Sequence, residues 1–155
     1  MRRPLERWVR WAWLFPATYG VHIFEEWRGG EGFPAWWSRL TGVELSVERF
    51  LTLNAYALAG MTLGVVLAAH FRQMRWLVVG FGAVVCVNAV AHLAASAATL
   101  TYSPGAVSGA LLWLPLGAWT LARARRGLSH RDFGVGLAVG LLMHAAVTLL
   151  AVFGA

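Results

Sequence analysis

Three residues in one short stretch are of types that could act together: His22, Glu25 and Glu26, in Tyr19-Gly20-Val21-His22-Ile23-Phe24-Glu25-Glu26-Trp27. This stretch closes an apolar run that starts at Trp11 and carries no other charge. On a helix, residues three and four apart lie on one side, so both carboxylates are expected near the imidazole. Ionisable side chains inside a hydrophobic helix are costly and usually mark a functional site. Asn88 and His92 stand four apart in a later apolar run, and His144 lies in the last one. Imidazole and carboxylate together suit zinc, iron or manganese. A histidine and a glutamate three apart are also the pairing that builds di-iron sites in helical bundles. The order here is not that of the HExxH zinc peptidases, so the roles known for that motif do not transfer.

The elements that must position these residues follow from composition. The 155 residues are 59% hydrophobic and 13% charged, with a mean hydropathy of +0.61. A soluble domain carries about a quarter charged residues, so this is read as a single domain in a membrane. All 13 basic residues are Arg and the pI is near 11.0, which invites a nucleic-acid partner. None is expected, because the Arg residues sit at the ends of apolar runs, where they set topology. Cys86 is alone, so no internal disulfide forms and the compartment stays open. The start Met1-Arg2-Arg3 resembles that of a signal peptide. No small-x-small cleavage site follows it, and Glu6, Arg7 and Arg10 interrupt the run, so the first span is expected to be uncleaved.

The pattern predicts an all-α, polytopic bundle of five transmembrane helices, at about 8–27, 48–70, 75–99, 105–121 and 132–154. About 20 residues at 1.5 Å each cover the ~30 Å hydrocarbon core. Pro16 is expected to kink the first span. An amphipathic helix at about 33–40 should lie at the interface, anchored by Trp36 and Trp37. Ser46 suits an N-cap, and Asn54 suits an interhelical hydrogen bond. Gly60/Gly64 and Gly136/Gly140 offer faces for close packing, including in a homodimer. The basic N-terminus, the Arg72/Arg75 turn and the 123–131 loop should be cytoplasmic. The balanced 28–47 loop and the uncharged 102–105 turn should be outside. The N-terminus is then inside and the C-terminus outside, in a bacterial-type cytoplasmic membrane. His22, Asn54, Asn88, His92, His144 and the turn at Tyr102 all fall towards the non-cytoplasmic half. His22 sits roughly 8 Å below that interface at 1.5 Å per residue.

His22-Ile23-Phe24-Glu25-Glu26, then Asn88-Ala89-Val90-Ala91-His92, then Tyr102-Ser103-Pro104-Gly105 resembles the HXXEE family of integral membrane proteins. That family is named for the first motif and also carries an NxxxH motif. The resemblance covers most of the chain in matching order. It implies that the site matters, and it gives no reaction.

The leading expectation is a metal-dependent hydrolase. One divalent metal, Zn²⁺ first and iron as the alternative, would be held by His22, His92 and His144, with Glu25 or Glu26 completing the shell. An open position would bind and acidify water. The remaining glutamate would act as general base, and Asn88 or Tyr102 would orient a ligand or meet an oxyanion. Membrane lipid, or a small hydrophobic lipid-like ester or amide, is the substrate class. Three other readings compete with it. Two histidines could hold a haem, or a His/Glu set non-haem iron. The same residues could relay protons in a carrier. Arg28 could cap Glu25 in a plain salt bridge.

Overall fold

A computed structural model of the chain describes residues 10–153, with side chains through 151. The expected basic start at Met1, Arg2 and Arg3, the beginning of the first span at Trp8 and the end of the fifth at 154 lie outside the described residues. The described chain is helical, with no strand in it. A 3₁₀ turn, Trp11–Trp13, leads into α1, Leu14–Arg28. Pro16 has no N–H to donate to a carbonyl four residues back, and the departure from regular α-helix falls just before it. Gly29 ends α1, and α2, Phe33–Thr41, follows. α3 covers Val47–His70 and α4 covers Trp76–Thr99. α5 begins as a turn, Ala106–Ser108, widens into π geometry over Gly109–Trp113, and continues regularly over Leu114–Gly127. It runs past 121 because nothing in Leu121-Ala122-Arg123-Ala124-Arg125-Arg126 breaks a helix. α6 covers His130–Phe153.

The starts are set locally. Ser46 caps α3, its hydroxyl accepting from Arg49 N–H at 3.2 Å. Gly42 ends α2 in the left-handed region, at φ +74°. Three helices, Val47–His70, Arg72–Thr99 and His130–Ala151, are long and apolar enough to cross a membrane. Their surfaces agree with that. On α6, Leu142 is 69% exposed, and Leu141, Leu149 and Leu150 are each more than half exposed. A contiguous apolar face of this kind belongs in lipid or against a partner rather than in water.

α4 is the central helix. It packs against α5 most extensively, then α6, then α3. The α4–α6 crossing is close because glycines line it. A Cβ on Gly140 would lie 2.5 Å from Gly80 O, and one on Gly136 2.5 Å from Trp76 O. The Gly136/Gly140 face is therefore used inside the chain. Gly64 abuts Phe81, while Gly60 faces open space. Phe15, Phe81, Val65, Val85 and Trp113 fill the core between α1, α3, α4 and α5.

One end of the bundle gathers the end of α1, all of α2, the start of α3 and the turn between α4 and α5. Phe33 on α2 packs on Phe50 of α3, 5.9 Å between centroids. Tyr102 in the turn reaches Glu25 on α1. Arg49 on α3 donates to Leu150 O near the end of α6. The link carrying Arg72 and Arg75, and the adjoining ends of α5 and α6 with Arg125, Arg126 and Arg131, lie at the other end. α2 is not merely a surface anchor: Trp36 is buried and Phe33 reaches His92, 5.5 Å between ring centroids. Trp36 packs over the end of the bundle.

Candidate metal centre

α1 carries His22 and Glu26 one turn apart, and α4 brings His92 opposite them. All three are buried, with exposures of 1%, 5% and 5%. Glu26 Oε1 lies 3.6 Å from His22 Nε2 and 3.1 Å from His92 Nε2. The imidazole centroids are 5.3 Å apart, with planes at 76°. The three ligand-type atoms converge within 4.8 Å of one another, the only such group of three or more among the described residues.

Each histidine is held from behind by a serine. Ser108 Oγ is 2.7 Å from His22 Nδ1, and Ser103 Oγ is 3.0 Å from His92 Nδ1. Ser108's hydroxyl donates to Gly105 O at 3.5 Å, so it can accept from Nδ1–H. That tautomer leaves a lone pair on Nε2, aimed at the group's centre. His22 Nε2 is buried there with no hydrogen-bond partner. Trp113 stacks on His22 with centroids 3.6 Å apart and planes at 27°. Its place is set by the π segment, a feature frequent at functional sites.

The turn closes over the group. Gly105 sits at φ +100°, and a Cβ there would lie 2.9 Å from His92 Cε1, 3.0 Å from Glu26 Cγ and 3.0 Å from His22 Cε1. Only glycine fits, for conformation and for space. Ser103 and Pro104 are fully buried beside it.

The other expected site residues lie elsewhere. Glu25 points away from the group. Its carboxylate accepts from Tyr102 OH at 2.6 Å, Val107 N–H at 2.9 Å and Ser108 N–H at 2.6 Å. A carboxylate tied to three donors is not a spare general base, so that expected role is withdrawn. Tyr102 is the phenol in that contact and lies over Gly29 and Gly30 rather than against the imidazoles. Burial, then the hydrogen bond to Glu25 and its charge, pushes the phenol up to about 12. An oxyanion role for Tyr102 finds no support in that position. His144 is half-buried on α6 and is not in the converging group. Asn88 Oδ1 is buried without a hydrogen-bond partner, and no bond from it orients His92. Asn54 accepts from Tyr19 OH at 2.8 Å, which is the interhelical contact expected of it. Arg28 does not cap Glu25. Its guanidinium lies 3.9 Å from the Trp27 ring centroid, and among the described residues it forms no ion pair.

The sequence reading gave no site role to Ser103 and Gly105, which it quoted only within a motif, and did not single out Ser108 or Trp113. A signal for Ser103 and Gly105 was present in Tyr102-Ser103-Pro104-Gly105: a polar residue and a turn glycine next to an apolar helix. Nothing local marks Ser108 or Trp113, because their roles depend on how α5 is rotated.

No curated protein and no solved structure matches the chain. Residues 13–120 match the model of a family described as proteins of unknown function with an HXXEE motif, and since that stretch holds α1, the buried His–Glu–His group and the turn that closes it, the chain belongs to the HXXEE family.

Proposed function

We propose that the protein is a metal-dependent membrane enzyme whose single metal is held by His22, His92 and Glu26. The observation that carries this is the convergence of two Nε2 atoms and one carboxylate oxygen, with His22 Nε2 buried and making no hydrogen bond. Tetrahedral sites with bonds of about 2.0–2.1 Å have ligand–ligand edges of roughly 3.3 Å. The 3.6 and 3.1 Å separations bracket that figure. Three protein ligands, rather than four, leave a position for water or substrate, as catalytic sites do. The cost side agrees. An ionised carboxylate at mid-membrane costs about 2.5–3.5 kcal/mol on insertion scales. A divalent cation shared with two imidazoles would offset that.

Two chemistries fit this donor set. A zinc-bound water would serve hydrolysis of a lipid-like ester or amide. Two histidines and one carboxylate with open positions also form the facial set of non-haem iron. The commitment of Glu25 to three donors favours the iron reading, because hydrolysis loses its nearest general base. A haem does not suit the group: Glu26 lies between the imidazoles, where the porphyrin would have to sit.

The same reading includes five spans, with α1 and α5 crossing alongside the three long helices. The Arg-bearing end would be cytoplasmic, and the metal centre would face the other side. Elemental analysis of protein purified in lipid nanodiscs tests the proposal. One equivalent of zinc or iron is expected, falling below about a tenth in His22→Ala, Glu26→Gln and His92→Ala, since losing a ligand typically costs more than the 10–100-fold seen for supporting residues. Metal-free wild type, or unchanged occupancy in all three variants, would sink it.

A further inference from the structure

The two glutamates of the motif do different things. Glu26 turns inward to the imidazoles, and Glu25 turns outward to the segment between α4 and α5. All three donors to Glu25, the Tyr102 hydroxyl and the Val107 and Ser108 amides, belong to that segment. The two amides are among the first N–H groups of α5, which no helical carbonyl can satisfy. A carboxylate there completes them and meets the positive end of the helix.

The segment so held is also the cover of the metal centre. Gly105 rests on all three ligand residues, and Ser103 and Ser108 touch the two Nδ1 atoms. Ser108 joins both sets of contacts: its N–H goes to Glu25 and its hydroxyl to His22. We propose that Glu25 is a positioning residue, a clamp that holds the 102–108 segment shut and thereby aims both imidazoles at Glu26. Sealing the site and orienting its ligands are then one event. With the ligand residues almost fully buried, a metal or substrate reaches them only when the segment lifts. Lifting it breaks the Glu25 contacts and the two serine–imidazole contacts together. This inference rests on the metal reading for what the group holds. The clamp itself stands on hydrogen bonds that need no metal.

The test uses the full chain in nanodiscs, with two readouts. Amide hydrogen exchange at Val107 and Ser108 reads the clamp without reference to metal. Release of bound Co²⁺ to a chelator reads the access it controls. Glu25→Gln keeps the size and loses the charge, and its amide nitrogen cannot accept. Exchange at both amides should rise roughly tenfold or more, the effect of losing a charge-assisted hydrogen bond. Co²⁺ release should quicken by a similar factor while the stoichiometry stays at wild type. Tyr102→Phe removes one donor only and should give a smaller rise in both; it keeps the inference testable should Glu25→Gln fail to fold. Unchanged amide exchange in a folded Glu25→Gln protein overturns the clamp. Loss of Co²⁺ stoichiometry in Glu25→Gln equal to that in Glu26→Gln overturns it too, by making Glu25 a ligand. Wild type that binds no Co²⁺ removes the metal centre, and the amide readout still decides the clamp.

Discussion

Gly105 gives the sharpest test of how the proposed centre is built, because one added methyl group meets His22, Glu26 and His92 at once. In Gly105→Ala the new Cβ would lie 2.9 Å from His92 Cε1 and 3.0 Å from both Glu26 Cγ and His22 Cε1. None of these atoms is the free end of a flexible chain, since each imidazole is tied by a serine and Glu26 by both imidazoles. Overpacking of this kind costs about 1–3 kcal/mol. The left-handed backbone, φ +100°, adds about 1–2 kcal/mol for any residue with a Cβ. The expected destabilisation is about 2–5 kcal/mol. Gly42→Ala separates the two contributions. Gly42 also has a positive φ, +74°, but nothing lies within 4 Å of its Cβ position. It should cost only the conformational part, about 1–2 kcal/mol. Reversible unfolding in mixed micelles measures both variants, and metal content measures the site. Gly105→Ala should lose more stability than Gly42→Ala and most of its metal, whereas Gly42→Ala should keep its metal. Equal losses of stability, with full metal in Gly105→Ala, would refute the placement of the turn on the ligands.

Three further outcomes follow from the same packing. Tyr102 is held up to about 12, above the ordinary tyrosine value of 10.0, so its contact with Glu25 is fully present below pH 10 and is lost as the pH rises through about 12. The tyrosinate absorbance of wild type minus Tyr102→Phe should show that late midpoint, and a midpoint near 10 contradicts the hydrogen bond. Gly140→Ala places a Cβ 2.5 Å from Gly80 O and should cost about 1–3 kcal/mol. Gly60→Ala, which meets nothing within 4 Å, should be neutral or stabilising by up to about 1 kcal/mol; a loss at Gly60 would show that the α3 surface is covered. His144→Ala should leave metal content unchanged, since His144 stands outside the converging group, and a drop in occupancy would bring it back as a ligand.

The helical, membrane-type character of the chain was legible in its sequence because it rests on composition and run length. Capping at Ser46 and the Tyr19–Asn54 contact were legible in part, because the first is local and the second concerns a polar residue in an apolar run, which must find a partner. His144 shows where legibility ends. α6 is apolar on every side, so hydropathy alone does not say which face meets α4. The glycines at 136 and 140 fix that face through backbone contact with Trp76 and Gly80, and His144, one turn beyond Gly140, lies on the same side without its ring joining the converging atoms. Depth and face can both be counted in residues here, but the distance at which a side chain on that face stops short of a cluster on other helices cannot.

The same geometry explains the two glutamates. At about 100° per residue, a position four on lies roughly 40° to one side of His22, and a position three on lies roughly 60° to the other. Sequence spacing alone puts both near the imidazole, and the sequence reading treated them as interchangeable. They are about 100° apart, however, and only one can face the partner helix. α4, which brings His92, lies on the Glu26 side, and the first turn of α5 lies on the Glu25 side. A single turn of α1 thus addresses His92 on one helix and the first amides of another. Exchanging the two roles would require rotating α1 by about a quarter turn, which would drive Phe15 and Tyr19 out of the core they fill.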